Sequence, residues 1–493
     1  VAESELKSKT VRGFFWSSME SLFSQGMGII FGIFLARMLS PSEFGLLGMI
    51  TIFISVAQVF VDSGLSQSLI RKQECTTKDY STVFWVNLAI GLASYLLIWL
   101  AAPWIARFYG KPELVSLTRV TSLAIIIGSV TLIHQTVLIK ELDFKTLTKS
   151  SASGTFVSGI ISIVLAYLGY GVWSLVWRTL INQAVRSAVL WNRNKWWPRL
   201  FYSRSILKDH FAFGSNILVI SLVAAIYKNF YNLIIGKNYS EKVLGYYTNA
   251  DQYSLMPSST ITSITNKVSY PVLSEMQADN QRLKSSITKL ITIVMFISFM
   301  IMFGLAAIAR PLFITVLGEK WLPSVPIFQA LCIAYAISPM HVINQNIMKI
   351  KGRSDFFLRT EIIKYLVFTP LLIIGVIYGI IVLIAGIVFF YWIGFLINAL
   401  YSRKLIGYSF GRQSLDFLPV MAISFFPAVI TWGLGLILPF SNILILGIQV
   451  PLYAGLIIIL SVLFRLPAFY ELVEILKGKL TIANLVKTLS KSQ

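Results

Sequence analysis

Apolar runs near 20 residues long, separated by short polar and basic stretches, recur from one end of the chain to the other. A helix needs about 20 apolar residues to cross about 30 Å of hydrocarbon, so each run predicts a membrane span. Fourteen spans are predicted, centred near Gly28, Ile52, Leu92, Ile126, Ile160, Ile181, Val223, Met256, Phe296, Ala334, Leu371, Phe389, Ala428 and Ile457. The expected fold class is therefore an all-α integral membrane protein. Segments between spans are too short to hold a soluble catalytic domain.

The pattern also repeats. LARMLSPSEFGLLGM (35–49) has an echo in LIIGKNYSEKVLGYYTN (233–249), and APWIARFYGKPELVSL (102–117) in ARPLFITVLGEKWLPSV (309–325). Pro103 then aligns with Pro311 and Gly110 with Gly318, while His134-Gln135 answers to Asn344-Gln345 and Tyr170 to Tyr378. Landmarks in one order at nearly constant spacing predict a duplicated unit, a common plan in transporters. The expected division is an N-lobe of spans 1–6 (1–192), a cytoplasmic linker (193–208), a C-lobe of spans 7–12 (209–404), two extra C-terminal helices (405–466) and an amphipathic tail (467–493). The seam between the lobes is the basic, aromatic run WNRNKWWPRLFYSRSILK (191–208). In the tail, Leu472, Ile475, Leu476, Leu480 and Leu485 recur at near-helical spacing, which predicts a passive anchor on the inner surface.

Composition agrees with a bilayer home: 56% of the 493 residues are hydrophobic and 13% charged. The net charge of +21 would suggest a nucleic-acid partner in a soluble protein. Here the Lys and Arg residues lie between spans, so the anionic inner leaflet explains them and no nucleic acid is expected. With the N-terminus placed in the cytoplasm, inner segments carry 30 of the 42 Lys and Arg residues and outer loops 8. That asymmetry predicts both termini inside. Each half then has an even number of spans, so the repeats run parallel. Phe14 to Ala36 reads as a retained first helix rather than a cleaved leader.

Signatures of catalysis are missing from the sequence. It has no Walker A loop, Rossmann fingerprint or HExxH, and His134, His210 and His341 are not spaced as zinc ligands. Cys75 and Cys332 imply no disulfide framework. No catalytic residue, metal or organic cofactor is expected, and the chain does not read as an enzyme.

Polar groups within spans are expensive in hydrocarbon and mark a bundle interior or a wet cavity. In the sixth span Arg178, Asn182 and Arg186 fall at i, i+4 and i+8, one helix face. In the seventh, Lys228, Asn229 and Asn232 form a patch flanked by Tyr227 and Tyr231. Two cationic stripes flanking the seam suggest a pocket for a phosphate or diphosphate, with Arg178, Arg186, Lys228 and Asn232 as its binding residues. The competing reading has Arg186 snorkelling to the interface and Lys228 neutralising a carboxylate. Among the carboxylates, Glu20 and Asp251 either bind a coupling proton or sodium ion or serve as static struts. Asp62 and Glu361 are expected to pair structurally, Glu361 with Lys364. Tyr246, Tyr247 and Tyr253 read as interfacial trim rather than sugar platforms. Gly28 and Gly32 form a GxxxG that predicts close packing of the first helix.

FLARMLSPSEFGLLGM (34–49), FVDSGLSQSLIRKQE (60–74) and LIKELDFKTL (138–147) resemble the polysaccharide-exporter branch of the multidrug/oligosaccharidyl-lipid/polysaccharide flippase superfamily. Within it, the chain is most similar to Wzx-type flippases of the colanic-acid and teichuronic-acid export group. The resemblance implies two six-helix lobes around a cavity lined by spans 1, 2, 7 and 8. It also implies alternating access, carrying an undecaprenyl-diphosphate-linked oligosaccharide from the inner to the outer leaflet of a bacterial plasma membrane. Other branches place arginines in the first helix, where this chain has Glu20 in the middle and Arg37 at the outer end. The expected partners are the lipid-linked oligosaccharide, bacterial inner-membrane lipids and polysaccharide polymerase or assembly proteins. The alternatives are a drug or cation extruder of the same superfamily, disfavoured by the two extra spans and the cationic stripes, and an integral-membrane polysaccharide polymerase, disfavoured by the short outer loops.

Overall fold

The computed structural model describes residue 16 and residues 23–477, apart from 195, 275 and 278. Among these residues the regular structure is helical, with no strand. Each predicted span centre falls inside a helix. Eleven helices among the described residues are long and apolar enough to cross a membrane, and α1 (Phe23–Met38) is a shorter apolar helix. The centres at Ile181 and Met256 lie on α8 (Val172–Arg193) and α10 (Glu241–Ser274), which are long but carry more polar residues. The chain is thus an all-α integral membrane protein. It divides into two compact units, residues 1–248 and 249–493, with the boundary inside α10.

In the first unit, sequence chemistry sets the helix ends. Helix α2 (Pro41–Asp62) starts at a capping box in which the Ser40 side chain accepts from the Glu43 N–H while the Glu43 carboxylate accepts from the Ser40 N–H, with Pro41 in the first turn. It stops where Ser63 and Gly64 both turn left-handed, and α3 (Leu65–Arg71) resumes. A second capping box, Thr76 with Asp79, opens α4 (Thr77–Tyr109), which ends at left-handed Gly110. Next come α5 (Leu114–Thr121), α6 (Leu123–Lys140) and α7 (Phe144–Tyr167), which pairs along its length with α8. Helix α9 (Arg204–Asn238) packs on α2, α3 and α4, so the seventh predicted span clusters with the first unit and the boundary sits later than the seam.

The seam itself is docked. Trp191 Nε1 donates to the Val130 carbonyl at 3.1 Å, Asn194 Nδ2 to the His134 carbonyl at 3.2 Å and Trp85 Nε1 to the Arg199 carbonyl at 2.8 Å. Rings of Phe84, Trp191, Trp196 and His134 meet edge to face or tilted over a core of Leu65, Leu69, Val83, Ile133 and Val137. Basic segments expected on one side of the membrane do meet at one end of this unit: Lys140 Nζ reaches the Leu69 carbonyl at 3.2 Å and Arg199 N–H the Ser81 hydroxyl at 3.0 Å. At the other end, Lys111 and Glu241 form a 3.0 Å ion pair.

Two crossings bring backbone onto backbone. A Cβ on Gly45 would lie 1.7 Å from the Glu241 carbonyl oxygen, and one on Gly245 would lie 1.8 Å from that of Pro41. These four positions lie in the echoed motifs, and the glycine of each motif faces the first helical residue of the other. Near the opposite end, a Cβ on Gly214 would sit 2.8 Å from the Ser63 carbonyl oxygen, and one on Gly64 2.4 Å from that of Gly214. By contrast a Cβ on Gly28 meets nothing within 4 Å, and the close packing expected of α1 falls instead at Phe31, whose ring would lie 2.2 Å from a Cβ on Gly159 of α7.

The second unit comprises the rest of α10, then α11 (Asn280–Ala307), α12 (Ala309–Val316), α13 (Ser324–Tyr335), α14 (Ser338–Ile350), α15 (Ser354–Tyr378), α16 (Ile380–Ile406), α17 (Phe410–Ile437), α18 (Asn442–Leu463) and α19 (Pro467–Leu476). Spans 13 and 14 are built into it. Helix α17 packs along α11 through Phe299 and Phe417, and the Tyr453 hydroxyl of α18 donates to the Met300 carbonyl at 2.9 Å. Buried Asn344 joins α14 to α17 and α16, donating to Gln413 Oε1 at 3.0 Å and accepting from Ser402 Oγ at 2.5 Å. Helix α19 packs on α11, while Leu480 and Leu485 of the predicted tail lie outside the described residues.

A buried polar knot ties α9 to the α3–α4 junction. His210 Nδ1 and Ser68 Oγ share a 2.8 Å hydrogen bond, His210 Nε2 lies 3.5 Å from Asp79 Oδ1, and Lys72 Nζ donates to that oxygen at 2.7 Å. Donation to Asp79 raises the Lys72 pKa above its ordinary value. Burial lowers that of His210, outweighing the pull of Asp79 and Asp209, and Lys72 acts in the same direction as burial.

Two predictions follow from these contacts. Gly45→Ala and Gly245→Ala should each lower the thermal unfolding midpoint of the detergent-solubilised chain, because a carbonyl in a helix cannot move aside as a side chain can. The cost should be about 1–3 kcal/mol each, and an unchanged midpoint would contradict the crossing. For His210, the unfolded ring titrates near about 6.5 and the folded ring lower. Its stabilising contribution is complete above the unfolded value and is lost as pH falls through it toward the folded one. The midpoint should therefore drop between about pH 7.5 and pH 5.5, and His210→Gln should flatten that drop.

Candidate functional site

The first unit holds both predicted cationic stripes. On α8, Arg178 is half-buried and its Nη2 donates to the Gly28 carbonyl of α1 at 3.4 Å. One turn on, Asn182 Nδ2 donates to Ser158 Oγ of α7 at 3.5 Å, and Gly154 brings the α7 backbone against Asn182 and Arg186. Arg186 is also half-buried, and its Nε–H is buried without a hydrogen-bond partner among the described residues. A guanidinium with a dry, unused donor carries a desolvation cost that an anion would offset.

The α9 patch differs in character. Lys228 is exposed, Asn232 is half-buried, and buried Asn229 donates back to the Ala225 carbonyl at 2.9 Å. Tyr231 is buried with its ring 6.2 Å from that of Tyr247. Helix α8 packs chiefly on α7, α6, α2 and α5, whereas α9 packs on α2, α3 and α4. The two stripes thus flank α2 on separate helices.

Of the carboxylates, Glu20 lies outside the described residues. Asp62 was expected to pair, yet it has no cationic partner among the described residues and its Oδ1 is buried without a hydrogen bond. It occupies the last residue of α2, where the chain turns left-handed, and no Lys or Arg reaches it. Glu361 does pair as expected: Lys364 Nζ donates to its Oε1, and Gln345 Nε2 donates to the same atom at 3.0 Å.

Asp251 belongs to a polar network inside the second unit that sequence reading missed. The Tyr335 hydroxyl of α13 donates to Asp251 of α10, and the Tyr335 ring meets that of Tyr391 on α16 at 5.0 Å. His341 of α14 stands 3.0 Å from the Tyr391 carbonyl through Nε2 and 3.0 Å from Asn398 Nδ2 through Nδ1. A carbonyl only accepts, so the proton sits on Nε2 and Nδ1 accepts from Asn398. A Cβ on Gly394 would touch His341 at 2.9 Å and buried Lys364 at 3.2 Å, so the glycine leaves room for both side chains. Five helices, α10, α13, α14, α15 and α16, thereby place Asp251, Tyr335, His341, Lys364, Glu361 and Tyr391 in one interior. The sequence carried one hint of this, the Asn344-Gln345 landmark one turn from His341. Among the described residues no group of His, Cys, Asp and Glu is arranged to hold a metal ion.

Comparison with known proteins places this geometry. A family profile described as polysaccharide biosynthesis protein matches residues 34–326, more than half of the chain. The chain is 23% identical over 440 residues to the lipopolysaccharide biosynthesis protein WzxC of Escherichia coli strain K12, covering 88% of this chain and 89% of that one. It is 27% identical over 342 residues to the teichuronic acid biosynthesis protein TuaB of Bacillus subtilis strain 168, covering 69% and 71%. It is 25% identical over 340 residues to the succinoglycan biosynthesis transport protein ExoT of Rhizobium meliloti strain 1021, covering 67% of each. Among solved structures, the lipid II flippase MurJ in an inward closed conformation superposes with a TM-score of 0.75 at 16% identity, over 92% of this chain and 99% of that one. An inward-facing multidrug resistance MATE family transporter of the MOP superfamily gives 0.62 at 19%, over 79% and 94%. Those named by activity are transporters or flippases rather than enzymes. The stretch from Phe34 onward that carries α2, its capping box and the α8 stripe lies inside the matched region, and the chain belongs to the polysaccharide biosynthesis protein family.

Proposed function

We propose that the chain carries an undecaprenyl-diphosphate-linked oligosaccharide, the repeat unit of a polysaccharide, from the inner to the outer leaflet of a bacterial plasma membrane by alternating access. The observation that carries the reading is the half-buried arginine stripe of α8, with its unused Arg186 donor, in a family whose relatives are named for glycan biosynthesis and transport. A doubly charged diphosphate cannot cross about 30 Å of hydrocarbon unaided. Arg178, Arg186, Lys228 and Asn232 bind its oxygens while the polyprenyl tail stays in lipid. No covalent bond is made or broken. The basic ends of the helices face the cytoplasm, with both termini inside.

Asp251 supplies the coupling. Protonating it, or binding a sodium ion beside it, changes the charge facing Tyr335 and so the packing of α10 against α13. Lys364 and Glu361 remain a fixed pair that keeps the remaining interior charges balanced.

Reconstituted liposomes containing only this protein and a defined lipid-linked glycan test both parts. Arg178→Ala and Lys228→Ala should each lower the transfer rate by about tenfold, the cost of one charge-assisted contact, with folding retained. Full transfer by both variants removes them from the site. Asp251→Asn should make the residual rate insensitive to an imposed proton or sodium gradient, and a wild-type rate that ignores every gradient would refute coupling.

A further inference from the structure

At the basic end of the first unit, α7 and α8 border a cleft of about 350 Å³ lined by Thr146, Lys149, Ser153, Val189, Asn192 and Arg193. Lys149 and Arg193 are exposed and lack a carboxylate partner among the described residues. The acidic residue nearest in sequence, Asp143, is committed as the α7 cap, accepting from the Thr146 N–H at 3.1 Å and its hydroxyl at 2.6 Å. Lys145 lies over the Trp16 ring. The cleft therefore offers two free cations beside neutral hydroxyl and amide groups, an arrangement suited to a phosphate.

What lies beyond the cleft identifies the rest of the ligand. Lys149, Ser153, Phe156, Ile160 and Val164 follow one another at three- and four-residue steps and so share one face of α7. Phe156, Ile160 and Val164 are 49%, 44% and 50% exposed, an apolar strip running from the cleft into the span. A free phosphate has no use for such a strip, whereas acyl chains do. Basic pockets between spans on the cytoplasmic side are known to hold anionic headgroups.

We infer that this cleft seats the phosphate of an anionic glycerophospholipid of the inner leaflet, with Lys149 and Arg193 on the headgroup and the α7 strip against its acyl chains. The assignment rests on the orientation proposed above, and it is separate from transport: neither Lys149 nor Arg193 belongs to the proposed diphosphate set.

The test is native mass spectrometry of the full chain released from nanodiscs of phosphatidylcholine containing a minor fraction of phosphatidylglycerol. The wild type should retain phosphatidylglycerol. A Lys149→Gln, Arg193→Gln double variant should retain it roughly tenfold less, each single variant an intermediate amount, and Lys78→Gln at the same end the wild-type amount. Equal retention by wild type and double variant, with matching thermal unfolding midpoints, would overturn the site. Release of the lipid from the wild type by millimolar inorganic phosphate would show a free-phosphate site and overturn the lipid assignment. Transfer of the lipid-linked glycan is read in separate liposomes, so loss of transport with lipid retention intact counts against the proposed function alone.

Discussion

Hydrocarbon gives a polar group no water to fall back on, and that one condition governs how this chain is built. Every backbone N–H and C=O in a span must be satisfied within its own helix, which is why the regular structure is helical. The same condition applies to side chains: many buried hydroxyls, such as those of Thr121, Ser150, Ser162 and Thr265, bond back to a carbonyl of their own helix, and several longer side chains reach a neighbouring one. Asn344 links α14 to α16 and α17, Tyr335 links α13 to α10, and Asn182 links α8 to α7. Exceptions such as Arg186 Nε and Asp62 Oδ1 are then informative, because an unpaired donor or acceptor costs about 1–3 kcal/mol that folding must absorb elsewhere.

Glycine extends this logic from side chains to the backbone. Where two helices must approach more closely than a Cβ permits, the chain places Gly45, Gly245, Gly64 and Gly214. Gly64 has the further reason of a positive φ of 67°, which a side chain would resist. At Gly28 the same residue type has open space on its Cβ side, and what the position contributes is a carbonyl for Arg178. A GxxxG pattern alone does not separate these two uses, since it records spacing and not which side of the helix a partner occupies.

Helix positions were legible in the sequence because apolar length is a local property. Apolar length alone put each predicted span centre inside a helix, while the capping boxes at Ser40 and Thr76 that start α2 and α4 emerge in the structure. Glu361 with Lys364 was legible for the same reason, being one turn apart. The partition of helices was not, because it depends on contacts between distant segments: α9 settles on α2 and α3 through Gly214 and His210, neither of which stands out in a hydropathy pattern. The interior chain from Asp251 to Glu361 was hidden likewise, since its members are scattered over more than a hundred residues and become one network only when five helices converge. Asp62 shows the converse error, where proximity to a helix end suggested a pair that the described residues do not supply.

The reciprocal crossing of the two echoed motifs has a mechanical meaning. Position 41 meets 245 and position 241 meets 45, so corresponding points of the two motifs face each other reciprocally. Sliding one helix along the other would carry each carbonyl off the gap that its facing glycine leaves and toward a neighbour that has a Cβ. Two missing methyl groups thus set how near α2 and α10 can stand, and any side chain at either place would act as a wedge between them.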